Sequence, residues 1–218
     1  MEKSIHSSIG APFSFGIINY HNIVVSESPQ MLKGRLQLFQ ESLFFDLQDK
    51  PPSSFPGVAE WRTLFKDHGK DPNRYRHSTE ALLKRIQKQN YLTSINSAID
   101  LNNFFSLQYE TPIGIYDSSK IEGSIELRLG SENEMFEGLN GRTNSAHNLV
   151  VAADQNGPFG SPFVDSVKTS VSEKTTEALQ IVYFRPSLSE ENKEKFLSSL
   201  KEMFIQVNGG SATTRIIS

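Results

Sequence analysis

Hydrophobic periodicity changes once along this chain, near Thr111, and that change limits the folds open to it. After Thr111, Ile125, Leu127 and Leu129 alternate with Ser124, Glu126 and Arg128. That is the period of a strand with one buried face. Leu149 to Ala153 and Ala178 to Phe184 read as further buried strands, the second closed by Pro186, with a turn at Leu139-Asn140-Gly141 between the first two. Before Thr111 the spacing is mostly helical. Helices first and strands afterwards predict an α+β or layered α/β architecture.

The helical part carries its own punctuation. Phe13 to Val25, rich in aromatic and β-branched residues, reads as a strand or hairpin. Ser28-Pro29 has the form of an N-cap and first-turn proline, opening a helix through Met31, Leu32, Leu36 and Phe39. The run Lys50-Pro51-Pro52-Ser53-Ser54-Phe55-Pro56-Gly57 is the clearest break, and joins an N-terminal arm (1–56), a strand plus a helix expected to pack on the body, to that main body (57–218). A short helix is expected around Trp61 to Phe65, one capped by Ser78, and another from about Asn96 to Tyr109. Ser189-Glu190-Glu191 opens a last amphipathic helix, stopped by Asn208-Gly209-Gly210.

Composition narrows the function classes. The 218 residues are 37% hydrophobic and 22% charged, which describes an ordinary globule able to bury a full core. With no cysteine, disulfide scaffolds, thiolate metal sites and cysteine nucleophiles are excluded. The five histidines are scattered, so no metal site and no cofactor is expected. No nucleotide-binding, metalloprotease or serine-hydrolase motif is present. The first 14 residues lack the apolar core of a signal peptide, and no run is long enough to span a membrane, so a cytoplasmic protein is expected.

Three local features remain. Arg62 to Lys88 holds eight basic residues against three acids in a chain of net charge −3. This is either a solvated helix face or a patch for phosphates. Asn102-Asn103 interrupts an apolar helix, where a buried amide needs partners, so the pair is either satisfied internally or faces a pocket. Gly114, between apolar residues at a strand start, is either a tight bend or a place where something approaches the backbone.

The order and spacing of several strings bear a resemblance. Tyr75-Arg76-His77-Ser78-Thr79-Glu80-Ala81-Leu82-Leu83, Ile95-Asn96, Asp100-Leu101-Asn102-Asn103, Pro112-Ile113-Gly114 with Tyr116-Asp117, and Ile121-Glu122-Gly123 with Leu127-Arg128 resemble stand-alone B3/B4-type proteins. These are similar to the tRNA-editing domain of the phenylalanyl-tRNA synthetase beta subunit. The resemblance runs from about Trp61 to Pro186. It implies sandwiched sheets flanked by helices, as also found in a lysidine synthetase domain. It implies a second hydrolytic sieve for wrongly charged tRNA, acting in trans, without the ligase motifs of a synthetase. Asn102, Asn103, Gly114, Ser161, Pro162 and Gln180 would then line the amino-acid pocket. Gly114 stands where the synthetase turn has a histidine, and Gln180 where it has a glutamate. Arg74, Arg76, Lys84, Arg85 and Lys88 would hold RNA phosphates. Aminoacylated tRNA is the implied partner, with neither DNA nor membrane. The alternative is a catalytically inactive RNA- or amino-acid-binding module on the same scaffold.

Overall fold

A computed structural model describes residues 2–218. The chain runs β1 (Ile5–Ser7), β2 (Phe15–His21), α1 (Gln30–Asp49), α2 (Pro56–Asp67), α3 (Ser78–Gln87), α4 (Ser97–Gln108), β3 (Ile113–Asp117), β4 (Ile125–Leu129), β5 (Met135–Glu137), β6 (Thr143–Ser145), β7 (Val150–Asp154), β8 (Gly157–Gly160), β9 (Glu177–Tyr183), α5 (Glu190–Asn208) and β10 (Ser211–Ile217). One sheet has the order β10-β2-β9-β3 and is antiparallel throughout. The other, β1-β4-β7-β8, is antiparallel except for β1 beside β4, and β5-β6 form a separate hairpin. This is the mixed α+β arrangement expected.

The first sheet is buried on both faces. Ile18, Tyr20, Ile113, Ile115, Ala178 and Val182 look toward the helices, where α4 and α5 lie on the sheet and α1 and α3 pack behind. Phe15, Ile17, Tyr116, Leu179, Ile181 and Tyr183 look the other way, onto Ile125, Leu127 and Val151 of the second sheet and onto Trp61 of α2. Strand alternation alone creates the three layers, helices, sheet and sheet.

Several expectations change. The break at 50–57 is a tight turn leading into α2, and β2 and α1 of residues 1–56 pack against the body. β2 is an interior strand, paired along its full length with β9 on one side and β10 on the other. Ser28 does not cap α1, because its hydroxyl donates to Asp100 Oδ2 (2.6 Å) and the helix starts after Pro29. His77, not Ser78, caps α3 through Nδ1, which accepts from the Glu80 amide. Asn96 and Ser189 cap α4 and α5 by accepting from Ile99 N and Asn192 N, and Gly209, at φ 68°, ends α5. Strands β1 and β10 carry no sequence signal, being respectively very short and mostly polar at a sheet edge.

A chain of buried hydrogen bonds fastens α4 to the sheet. Tyr20 Oη donates to Gln180 Oε1 (2.9 Å), Gln180 Nε2 donates to Asn102 Oδ1 (2.9 Å), and Asn102 Nδ2 donates to Ile113 O (2.9 Å). Four elements meet in it, and Gln180 is fully buried. Gln180→Leu would leave the Tyr20 hydroxyl and the Asn102 carbonyl without partners. We predict a loss of about 1–3 kcal/mol in urea unfolding. An unchanged midpoint and slope would show that the network does not stabilise the fold.

Candidate functional site

On a strand, residues two apart share a face, so Gly114 and Tyr116 of β3 both look toward the second sheet. The Tyr116 ring folds back along the strand, and a Cβ at Gly114 would overlap its hydroxyl. Gly160, at the end of β8, is bare for the same reason, since a Cβ there would meet the same phenol. The space that Gly114 opens is therefore filled by the chain's own tyrosine.

That phenol is held by polar groups. Tyr116 Oη donates to Asp165 Oδ1 (2.7 Å) and lies 3.2 Å from Tyr183 Oη. The Ser161 amide also donates to Asp165 Oδ1 (3.4 Å). Burial pushes the Asp165 carboxyl up to about 7, in spite of these two donors. Both tyrosine hydroxyls are pushed up as well, chiefly by burial. Trp61 packs edge-on against Tyr183, with His77 beyond it at 6.5 Å between rings. Burial, aided by the Arg62 charge, lowers His77 to about 3, so it is neutral. Its Nε2 and the Trp61 Nε1 are buried and have no hydrogen-bond partner among the described residues.

Residues 161–165 connect this seam to the surface. Ser161 Oγ accepts from Phe163 N and Val164 N and donates to Val164 O, which closes the turn. Pro162 O accepts from Ser78 N (2.7 Å), which ties the turn to the start of α3. Phe163 then packs on Tyr75 (5.5 Å), with Lys70 Nζ 4.4 Å above the Tyr75 ring and the Arg74 guanidinium 5.7 Å from it. The result is a half-buried aromatic pair edged by cations.

The basic run divides by role. Arg62 donates to both oxygens of the fully buried Glu80 (3.0 and 3.2 Å), and Lys84 lies 3.3 Å from the same carboxylate. Lys84 is thus engaged internally. Lys66, Arg74, Arg76, Arg85 and Lys88 remain exposed. Arg74 stands beside the aromatic pair and Arg76 follows Tyr75 in the chain, whereas Arg85 and Lys88 lie at the far end of α3, about 10–15 Å from its start by helical rise.

The pocket expected from Asn103, Gly114 and Gln180 is not one pocket. Gly114 pairs with Ile181 and Gln180 with Ile115, so the two residues face opposite sides of the same sheet. Asn102 and Gln180 satisfy each other on the helical side, and Asn103 sits half-buried on α4 on that side too. On the other side, Gly114 and Ser161 both adjoin Asp165, and Pro162 follows Ser161 in the turn. The sequence reading missed Trp61, Tyr116, Asp165 and Tyr183. The spacing Gly114-x-Tyr116 gave a signal for Tyr116, while nothing local marks Asp165. An open groove of ≈ 460 Å³ lies on the helical side between α1 and residues 91–94, with Lys33 as its one charged side chain. Among the described residues no group of three or more His, Asp or Glu is placed to hold a metal ion.

Asp165 gives the seam a pH signature. The folded chain keeps its proton to about pH 7, whereas an ordinary aspartate loses it near 3.8. Between those values folding takes up a proton, so this group's contribution to stability falls as pH rises from about 4 to about 7, then levels. His77, ordinarily near 6.5 and here near 3, acts in the opposite sense, destabilising the fold as pH drops below about 6.5. Comparing the parent with Asp165→Asn at each pH cancels the His77 contribution. The Tm difference should move in favour of the variant between pH 4 and 7 and stay constant above. A difference independent of pH would show an ordinary carboxylate.

With this geometry in place, comparison with known proteins is informative. A family model described as the B3/4 domain matches residues 60–201. The protein YhzB of Bacillus subtilis (strain 168) is 40% identical over 195 residues, 89% of this chain and 87% of that one. The phenylalanine–tRNA ligase beta subunit of Paramagnetospirillum magneticum is 34% identical over 98 residues, which is 44% of this chain but 12% of the subunit. A crystal structure of an N-terminal fragment of the phenylalanyl-tRNA synthetase beta subunit from Pyrococcus horikoshii overlaps 96% of this chain and 50% of that chain, at 12% identity and a TM-score of 0.44. The family match covers the helices and strands that build the seam, and a relative is matched over most of both lengths: the chain belongs to the B3/4 domain family, related to part of the phenylalanyl-tRNA synthetase beta subunit.

Proposed function

We propose that this B3/4 domain binds tRNA and acts in trans, in the cytoplasm, on aminoacylated tRNA, hydrolysing the ester of a wrongly attached amino acid. One observation carries the reading. The cation-edged pair Tyr75–Phe163 is joined through Pro162 and Ser161 to the seam that holds Asp165. Aromatic faces beside arginines suit unpaired nucleotides, such as those at an acceptor end. A carboxyl near pH 7 suits a general base. An aminoacyl ester is already activated, so water suffices as nucleophile. Asp165 would take a proton from that water as its oxygen attacks the ester carbon. Collapse of the tetrahedral intermediate would expel the ribose oxygen, which receives the proton, and free amino acid and tRNA would leave. For a ligand to enter between Gly114 and Gly160, the Tyr116 ring must turn away.

The filled seam favours a second reading, binding without hydrolysis. A panel of mischarged tRNAs separates the two. Deacylation that falls about 10²-fold or more in Asp165→Asn, with tRNA affinity retained, is the expected outcome. Affinity without turnover on any tRNA supports the binding module, and absence of both sinks either reading. We also predict that tRNA affinity falls steeply with salt. Replacing Arg74, Arg76, Arg85 and Lys88 by alanine should flatten the log–log slope by about 0.7–0.9 for each phosphate that is no longer neutralised. Lys84→Ala should change the slope little, because Glu80 already holds that cation.

A further inference from the structure

Helix α1 is apolar on two opposite faces. Leu32, Leu36, Leu43 and Leu47 enter the core, while Met31, Leu38 and Phe45 recur every seventh position on the outside, 64, 69 and 67% exposed. Seven residues are close to two turns, so the three form a line about 21 Å long. Single exposed apolar residues need no explanation, but three in register on a solvated face do. Gly34 lies beside this line. A glycine inside a helix weakens it. Among the described residues nothing beyond its chain neighbours and the helix's own backbone stands within 4 Å of where its Cβ would be, so the fold itself has no need of a bare backbone there.

Charge adds direction. The N-terminal half of α1 carries Lys33 and Arg35, and the C-terminal half Glu41, Asp46 and Asp49. The first turn has no acid and the last turn no base, the reverse of what a helix dipole favours. Lys33 pairs with Glu27, whereas the Arg35 guanidinium rests 5.5 Å from the Phe104 ring centre. A second α1 laid antiparallel on the first makes this order complementary.

We infer that the outer face of α1 seats a second copy of this chain, antiparallel about a two-fold axis at Leu38. The apolar line is palindromic about that residue. Reversal places Met31 against the second copy's Phe45, Leu38 against its own equivalent, and Arg35 level with the second copy's Glu41. An isologous contact requires such self-complementarity, and an unrelated partner does not. One pair of helices some 30 Å long falls below the roughly 1,600 Å² of a standard interface, which makes the dimer weak, with Kd on the order of micromolar.

Sedimentation velocity on the full chain, from about 1 to about 300 µM, tests this directly. The parent should pass from monomer to dimer with concentration. Leu38→Glu sets two like charges on the axis and should remain monomeric throughout, with an unchanged circular dichroism spectrum because the side chain is exposed. Arg35→Glu should weaken the dimer about tenfold, and adding Glu41→Arg should restore it, since the swap preserves complementarity. A parent that stays monomeric overturns the inference. So does a parent dimer that Leu38→Glu leaves intact, or a charge swap that fails to recover what Arg35→Glu removed.

Discussion

A sheet buried on both faces must provide a partner for every polar group it carries, and in this protein that requirement organises what surrounds it. Strand β9 brings two such groups inward, on opposite faces: Gln180 toward the helices and Tyr183 toward the second sheet. Each forces a neighbour into place. Gln180 is satisfied by Tyr20 and Asn102, which fixes where α4 lies on the sheet. Tyr183 meets the Tyr116 hydroxyl, which in turn needs Asp165 and therefore the turn at 161–165. A buried polar group left unpaired costs about 1–3 kcal/mol, enough to make these placements specific rather than incidental.

The same logic explains why the family strings are recognisable. Glu80, within Tyr75–Leu83, is a fully buried carboxylate that Arg62 and Lys84 neutralise, and it pins α3 to α2. Asp100 accepts from the hydroxyls of Ser28 and Ser94 and from the Ile95 amide. Asp117 accepts from Ser119 and from Thr175 Oγ1. These acids stand at set spacings because loops converge on them. Such strings identify a scaffold, while the groups able to act on a ligand lie beside them and are less constrained by sequence position.

Legibility followed the range of the interactions. Helices α2, α4 and α5 and strands β4, β7 and β9 were readable because periodicity and caps act within a few residues. Ser28 misled because a capping residue type was drawn to a carboxylate 72 positions away. Strand β10, largely exposed along an edge, has little apolar pattern to read and is held by its partner's backbone. The expected pocket divided because side-chain direction on a strand depends on register, and Gln180 lies opposite Ile115 rather than Gly114. Asp165 was invisible for the opposite reason. A single aspartate in a loop acquires its character only from the burial that the fold imposes on it.

The interior position of β2 has a consequence for the order of synthesis. This strand is made well before its neighbours, and its His21 waits for Glu177 of β9, 156 residues later. At about 5–20 residues per second, the wait is on the order of ten seconds or more. Through that interval Phe15, Ile17, Ile18 and Tyr20 have neither of their neighbouring strands, so a nascent chain displays an unpaired apolar edge until β9 has been made. The topology thus makes the pairing of β2 a late, long-range event, whatever the finished protein does.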